Sequence, residues 1–193
     1  MDEMDIMTLI LGLDANARDE VSTSMNAIAE QGDTSNPDGL VLMLREVLAL
    51  LRGVERSWTH AGSAHAQRLA PEEAEARFVS IADGARGRFD AELIRNAHGN
   101  VVRQPSPDLP VSDAPGVVVV TLVVATHRHL SPLPPENDAA RLSLALDRLV
   151  GLAASDLVAL EVVWSPSDPR DRIPAAEMEA MYPELTALRP AQV

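Results

Sequence analysis

Cysteine and lysine are both absent from the 193-residue sequence, so all sixteen basic residues are arginine. Without cysteine there is no disulfide framework, no thiolate-ligated metal centre and no thiol nucleophile. Without lysine there is no Schiff-base chemistry and no Walker-type phosphate loop. Aromatic residues are scarce at 3%, which leaves few stacking platforms for bases or sugars. Positive charge is also in deficit. The 29 acidic residues against 16 basic ones give a net charge of −13, which weighs against binding to phosphate backbones. Long apolar runs are missing as well. Leu40–Leu44 and Val117–Ala125 are among the longest, the second with Thr121 inside it. Both fall short of the roughly 20 residues that a membrane helix needs. The first residues, Met1 to Asp5, are acidic where a signal peptide is basic, so a cytoplasmic location with no direct membrane span is expected.

What is present is an aliphatic interior. Hydrophobic residues make up 46% of the chain, enough for one ordinary domain over residues 1–193. Ile6 to Leu13 reads as a half-buried strand with Met7, Leu9, Leu11 and Leu13 on one face. Val21, Met25, Ile28 and Ala29 form the stripe of a first helix, which Gly32 ends. Pro37 suits the first turn of a second helix over Asp38–Arg52, apolar nearly all round. Such a helix is either buried on most sides or packed on a partner. Trp58–Leu69 is small and polar and reads as an irregular link. Pro71 opens a long helix whose spacing of Ala74, Phe78, Ile81, Ala85, Phe89 and Leu93 carries it to about His98. The proline-rich stretch 100–116 reads as a flexible loop. Val117–Thr126 is apolar on both faces and reads as a central strand. Asn137 or Asp138 caps a helix with Leu142, Leu146, Leu149, Val150 and Ala153 inward. Leu157–Trp164 is a strand with Val158, Leu160, Val162 and Trp164 on one face, and a short helix follows Pro174. The order β-α-α-α-β-α-β-α predicts an α+β fold: a three-stranded mixed sheet covered by about five helices. Its last β-α-β is expected to form a parallel pair.

Four stretches resemble one family, the domain of unknown function 1517. Asp33-Thr-Ser35 with Gly39-Leu40 is similar to the family's turn before its apolar helix. Leu44-Arg-Glu46, Leu48 to Arg52 and Trp58 resemble that helix and its exit. Val119 to Ala125 is similar to its core strand. Ala159 to Pro166, followed by Tyr182-Pro-Glu-Leu185, resembles its C-terminal signature and is the most specific of the four. The family includes cyanobacterial and plastid proteins linked to the thylakoid and to acclimation under fluctuating light. Its usual member carries a leader and a membrane segment ahead of this domain, and this chain is expected to be a soluble bacterial-type member without them. The resemblance supplies no catalytic residues.

Candidate sites are few. His127 and His129 stand two apart after the core strand and would point the same way on extended chain, so they are the metal-ligand candidates. No HExxH or cysteine partner accompanies them. His60 and His65 lie in the small-residue link. Asp168 and Asp171 flank Arg170 in a polar loop better explained by turn chemistry than by a cation. Glu161, in an apolar strand, calls for a partner such as Arg45, Arg86 or Arg88. No catalytic residue and no cofactor is assigned.

Two readings follow. The first is a non-enzymatic interaction or regulatory domain that docks on another protein, with self-association open and no role for nucleic acid. Its interaction residues are Leu42, Arg45, Arg86 and Arg88. The second is a small-molecule or metal-binding enzyme, with His127, His129, Ser165, Asp168 and Asp171 gathered at the C-terminal edge of two parallel strands.

Overall fold

In the computed structural model, residues 3–88, 93–95, 116–131, 139–166 and 173–189 are described. Asp168, Asp171, Asn137, Asp138, Phe89 and nearly all of the 100–116 stretch lie outside them. Six strands, β1 (Met4–Leu13), β2 (Trp58–Leu69), β3 (Leu93–Arg95), β4 (Val118–Thr126), β5 (Leu157–Ser165) and β6 (Thr186–Ala187), form one sheet in the order β3-β5-β4-β1-β2-β6. Every neighbouring pair is antiparallel. The fold is therefore α+β as expected, but the sheet is neither three-stranded nor mixed.

Each missed strand has a physical reason. β2 carries mostly small and polar residues and forms because Ile6–Leu13 offers it a long ladder, not because of its own propensity. Leu93 and Ile94 continue the apolar spacing of the preceding helix, yet they pair with Val163 and Val162. That helix, α3, runs from Pro71 to Arg88 and stops well short of His98. β4 and β5 are antiparallel because the excursion between them leaves and returns at one end of the sheet. Thr126 pairs with Leu157, and the His127 N–H donates to the Asp156 carbonyl at 2.9 Å. The order strand–helix–strand does not say whether the helix or the loop before it carries the chain back.

Helices cover both faces. On one side lie α1 (Arg18–Gln31), α2 (Pro37–Gly53) and α4 (Ala139–Val150). Met7, Leu9, Leu11 and Leu13 of β1 meet them, together with Val118, Val120, Leu122 and Val124 of β4 and Leu160, Val162 and Trp164 of β5. α2 packs against both α1 and α4 as well as the sheet. Most of its apolar surface is thus consumed inside the chain, with Leu44, Val47, Leu48 and Leu51 fully buried and Leu42 left outside. Val150 and Ala153, expected inward, are exposed, and so is Val158 at the start of β5.

On the opposite side α3 and α5 (Ala175–Met181) cover the even-numbered residues of β1. Ile6 packs with Ala74, Phe78, Val123 and Ala125, while Ile10 packs with Val119, Val163, Met178 and Tyr182. β1 is accordingly buried on both faces, not one. The strand sits next to β4 at the middle of the sheet, so it has no solvent side to offer. Between the two apolar clusters of this face lie the buried Thr8, Thr121 and Glu161.

The turn before α2 follows from local chemistry. Asp33 accepts hydrogen bonds from the Ser35 N–H and hydroxyl at 2.8 and 2.6 Å and from Asn36 Nδ2 at 2.6 Å. Asn36 in turn caps α2 by accepting from the Gly39 N–H at 2.8 Å. Gly39 packs on the Asp33 carbonyl so closely that a Cβ there would overlap it. Gly62 is similarly pressed: a Cβ would stand 2.6 Å from the Glu184 carbonyl oxygen, where the C-terminal turn crosses β2.

Candidate functional site

The acidic residues that the fold buries are matched one by one. Glu161 points from β5 toward α3 and is 1% exposed. Arg86 Nε donates to its carboxylate at 2.9 Å, while Arg86 Nη1 holds Asp83 at 2.7 Å. Arg86 is therefore the partner, and the pair is structural, built by the face that α3 lays on the sheet. Arg88, two residues on, forks onto Glu184 with two hydrogen bonds and lies 5.3 Å over the Tyr182 ring. That pairing raises the Arg88 guanidinium and lowers the Glu184 carboxyl, whose main cause in both cases is the hydrogen bond between them. Burial pushes the Tyr182 phenol up.

The second buried carboxylate escaped the sequence reading. Asp5, 3% exposed at the start of β1, accepts from the Arg68 N–H at Oδ1 and from the Leu130 N–H at Oδ2, both at 2.9 Å. His129 Nδ1 lies 2.8 Å from the same Oδ2, and His65 Nε2 lies 3.7 Å from it. Asp5 thus ties together the bulged end of β2, where Arg68 has φ of 56°, and the segment after β4. The only signal in the sequence was an acid placed one residue before an apolar strand. Burial lowers the His65 imidazole, against an opposing pull from Asp5. Both ring nitrogens of His65 lack a hydrogen-bond partner among the described residues.

The residues singled out from the sequence do not converge. His129 turns onto Asp5, whereas His127 is exposed and does not join it. The chain bends at His127–Arg128 directly after β4, which removes the extended geometry that would have aligned the two rings. No group of three or more histidine, aspartate or glutamate side chains among the described residues is placed to hold a metal ion. Ser165 is buried at the other end of β5, paired with Val119, while Thr126 and His127 adjoin Leu157. Antiparallel pairing sets these ends roughly 25 Å apart at about 3.3 Å per residue. The edge at which His127, His129 and Ser165 were to gather does not exist. His60 pairs with Glu179 at 3.2 Å on the α5 side. Leu42 and Arg45 face outward from α2, and Arg45 reaches the Leu152 carbonyl at 3.3 Å. Arg86 and Arg88 lie on the opposite layer, so the four do not share one surface.

The comparison with known proteins agrees with the family resemblance drawn from the sequence. The family described as "Protein of unknown function (DUF1517)" matches residues 3–188. The chain belongs to this family. Protein FLAP1 homolog A of Synechocystis sp. is 32% identical over 193 residues, covering 95% of this chain and 56% of that protein. FLUCTUATING-LIGHT-ACCLIMATION protein 1, chloroplastic, of Arabidopsis thaliana is 31% identical over 164 residues, covering 84% of this chain and 41% of that protein. The chain spans about half the length of the curated relatives it matches. No solved structure matches it. The name of the plant relative places that protein in the chloroplast, which points away from the cytoplasmic location expected above. That expectation rested on the acidic residues 1–5 and on the shortness of the apolar runs, and neither feature fixes a location. Among the described residues, no helix is long and apolar enough to cross a membrane.

Proposed function

We propose that this member of the DUF1517 family is a non-enzymatic regulatory domain that acts by docking on another protein. A relative named for acclimation to fluctuating light supports a regulatory role, since that name describes a response rather than a chemical conversion. The observation that carries the docking reading is the outward placement of two leucines on neighbouring helices. Leu42 on α2 is 58% exposed and Leu144 on α4 is 59% exposed, the most exposed large hydrophobic side chains among the described residues. Nothing in the packing of either helix asks for a leucine there. Arg45 stands beside Leu42 on the same outer face. The partner on this reading is a protein and not nucleic acid, because a chain of net charge −13 repels a phosphate backbone.

A photo-crosslinker placed at position 42, in cells of the source organism, tests this. The expected result is a crosslink to a defined peptide of one partner, and capture of that same partner by a second crosslinker placed at position 144. Because both positions are solvent-facing, each change is expected to leave stability within about 0.5 kcal/mol. Crosslinks only to abundant unrelated proteins, with the fold intact, would sink the reading.

A further inference from the structure

A groove of about 830 Å³ opens where the end of α2, the start of β2 and the segment after β6 meet. Its walls include Arg52, Glu55, Arg56, Trp58, Leu188 and Arg189. Three of the sixteen arginines of a strongly acidic chain therefore line one concavity. Arg52 is anchored: it donates to the Ser143 carbonyl at 2.8 Å and pairs with Asp147. As a cation in the last turn of α2 it also complements the helix dipole, so its presence needs no ligand. Arg56 and Arg189 are different. Both are exposed, and neither makes a hydrogen bond or ion pair among the described residues, although the chain has 29 acids to offer. They come from different elements. Arg189 is carried to the groove by β6, which is tied to β2 where the Leu188 N–H donates to the Thr59 carbonyl at 2.8 Å. Among the described residues the wall holds one carboxylate, Glu55, so the arginines outnumber it. Beside Thr59 and Gly53, the rest of the wall is apolar: Ala139, Leu188, and the Trp58 ring, whose Nε1–H donates to the Leu51 carbonyl at 2.9 Å.

We propose that this groove binds a small organic anion, a carboxylate or phosphate ester with an apolar body. Guanidinium groups recognise planar oxyanions with paired hydrogen bonds, and two unpartnered ones on separate elements can grip an anion from two sides. The fixed Trp58 and Leu188 side chains supply a preformed apolar wall for the rest of the ligand. The volume falls in the range of about 300–1,000 Å³ usual for small-molecule sites. The site is separate from Leu42 and Leu144 and does not rest on the docking reading.

The test uses the full chain and 1-naphthyl phosphate as the probe, followed by calorimetry and by the indole N–H resonance of Trp58. One-to-one, saturable binding that shifts that resonance is expected. Arg56→Gln and Arg189→Gln are each expected to raise the Kd about tenfold or more, with unchanged melting curves. Arg148→Gln, on α4 outside the groove, serves as the control and is expected to leave the Kd unaltered. Neutral 1-naphthol is expected to bind far more weakly, as is inorganic phosphate. The proposal is overturned if 1-naphthyl phosphate does not saturate, if the two arginine variants bind it like the wild type, or if 1-naphthol binds as tightly. It is equally overturned if a hexaglutamate peptide binds at these arginines and the naphthyl phosphate does not, since the groove would then take an acidic protein segment.

Discussion

Arg86→Met is the substitution that most directly interrogates the α3–sheet interface. The change keeps a long apolar stem to pack under α3 and removes only the cation, so the loss is electrostatic rather than a cavity. Glu161 is left in a site where it is 1% exposed, deprived of a hydrogen bond of 2.9 Å to a side chain itself only 13% exposed. Breaking a buried pair from one side costs about 3–5 kcal/mol. Arg86 keeps some solvent access and is shared with Asp83, so the lower end, about 3 kcal/mol, is expected. The double variant Arg86→Met with Glu161→Leu replaces both charges by apolar groups next to Val123, the cross-strand neighbour of Glu161. It is expected to return to within about 1 kcal/mol of the wild type, because no charge remains to be desolvated. Urea unfolding followed by circular dichroism at pH 7 measures both, with the slope checked for constancy. If Arg86→Met costs less than about 1 kcal/mol, or if the double variant loses the sum of the two singles, the pair is not the buried contact described.

Three further outcomes are expected. Gly39→Ala raises intrinsic helix propensity by about 1 kcal/mol, yet it is expected to lower the melting temperature because the new Cβ meets the Asp33 backbone carbonyl; a rise would mean that the turn gives way. Trp164→Ala is expected to cost about 3–5 kcal/mol, since the ring is 1% exposed in the main core. Trp164→Phe is expected to cost under about 1.5 kcal/mol, because the indole N–H it removes has no hydrogen-bond partner among the described residues, and equal losses in calorimetry would contradict this. His65 is held below the ordinary histidine range by burial, so the unfolded chain takes up a proton that the folded chain resists. Its contribution is therefore complete above the unfolded value of about 6.5 and is lost as the pH falls below it. Melting temperatures from pH 7.5 downward are expected to decline in the wild type and to decline less steeply below about pH 6.5 in His65→Leu; an identical slope in both would remove His65 from the account.

Local signals in the sequence were sufficient wherever one element decided its own form. Pro37 and the Asp33–Asn36 turn set the start of α2, the two-faced apolar run of β4 announced an interior strand, and Tyr182–Pro183 closed α5. The need of Glu161 for a cation was legible too, because a carboxylate in an apolar strand is costly alone; which of three arginines answers it was not. Only the tertiary structure decided the rest. Trp58–Leu69 has no strand pattern of its own and becomes one by completing the ladder of β1, and Leu93–Arg95 exchanges helical spacing for pairing with β5. The direction of β5 against β4 depended on where a thirty-residue excursion returns, which no periodicity encodes. Asp5 and His129 are 124 positions apart, and Arg56 and Arg189 are 133 apart, so neither grouping leaves a spacing to read. Sequence periodicity reports which side of an element faces inward; it is silent on which distant side chains the folded chain sets opposite each other, and the sites of this protein are built from those meetings.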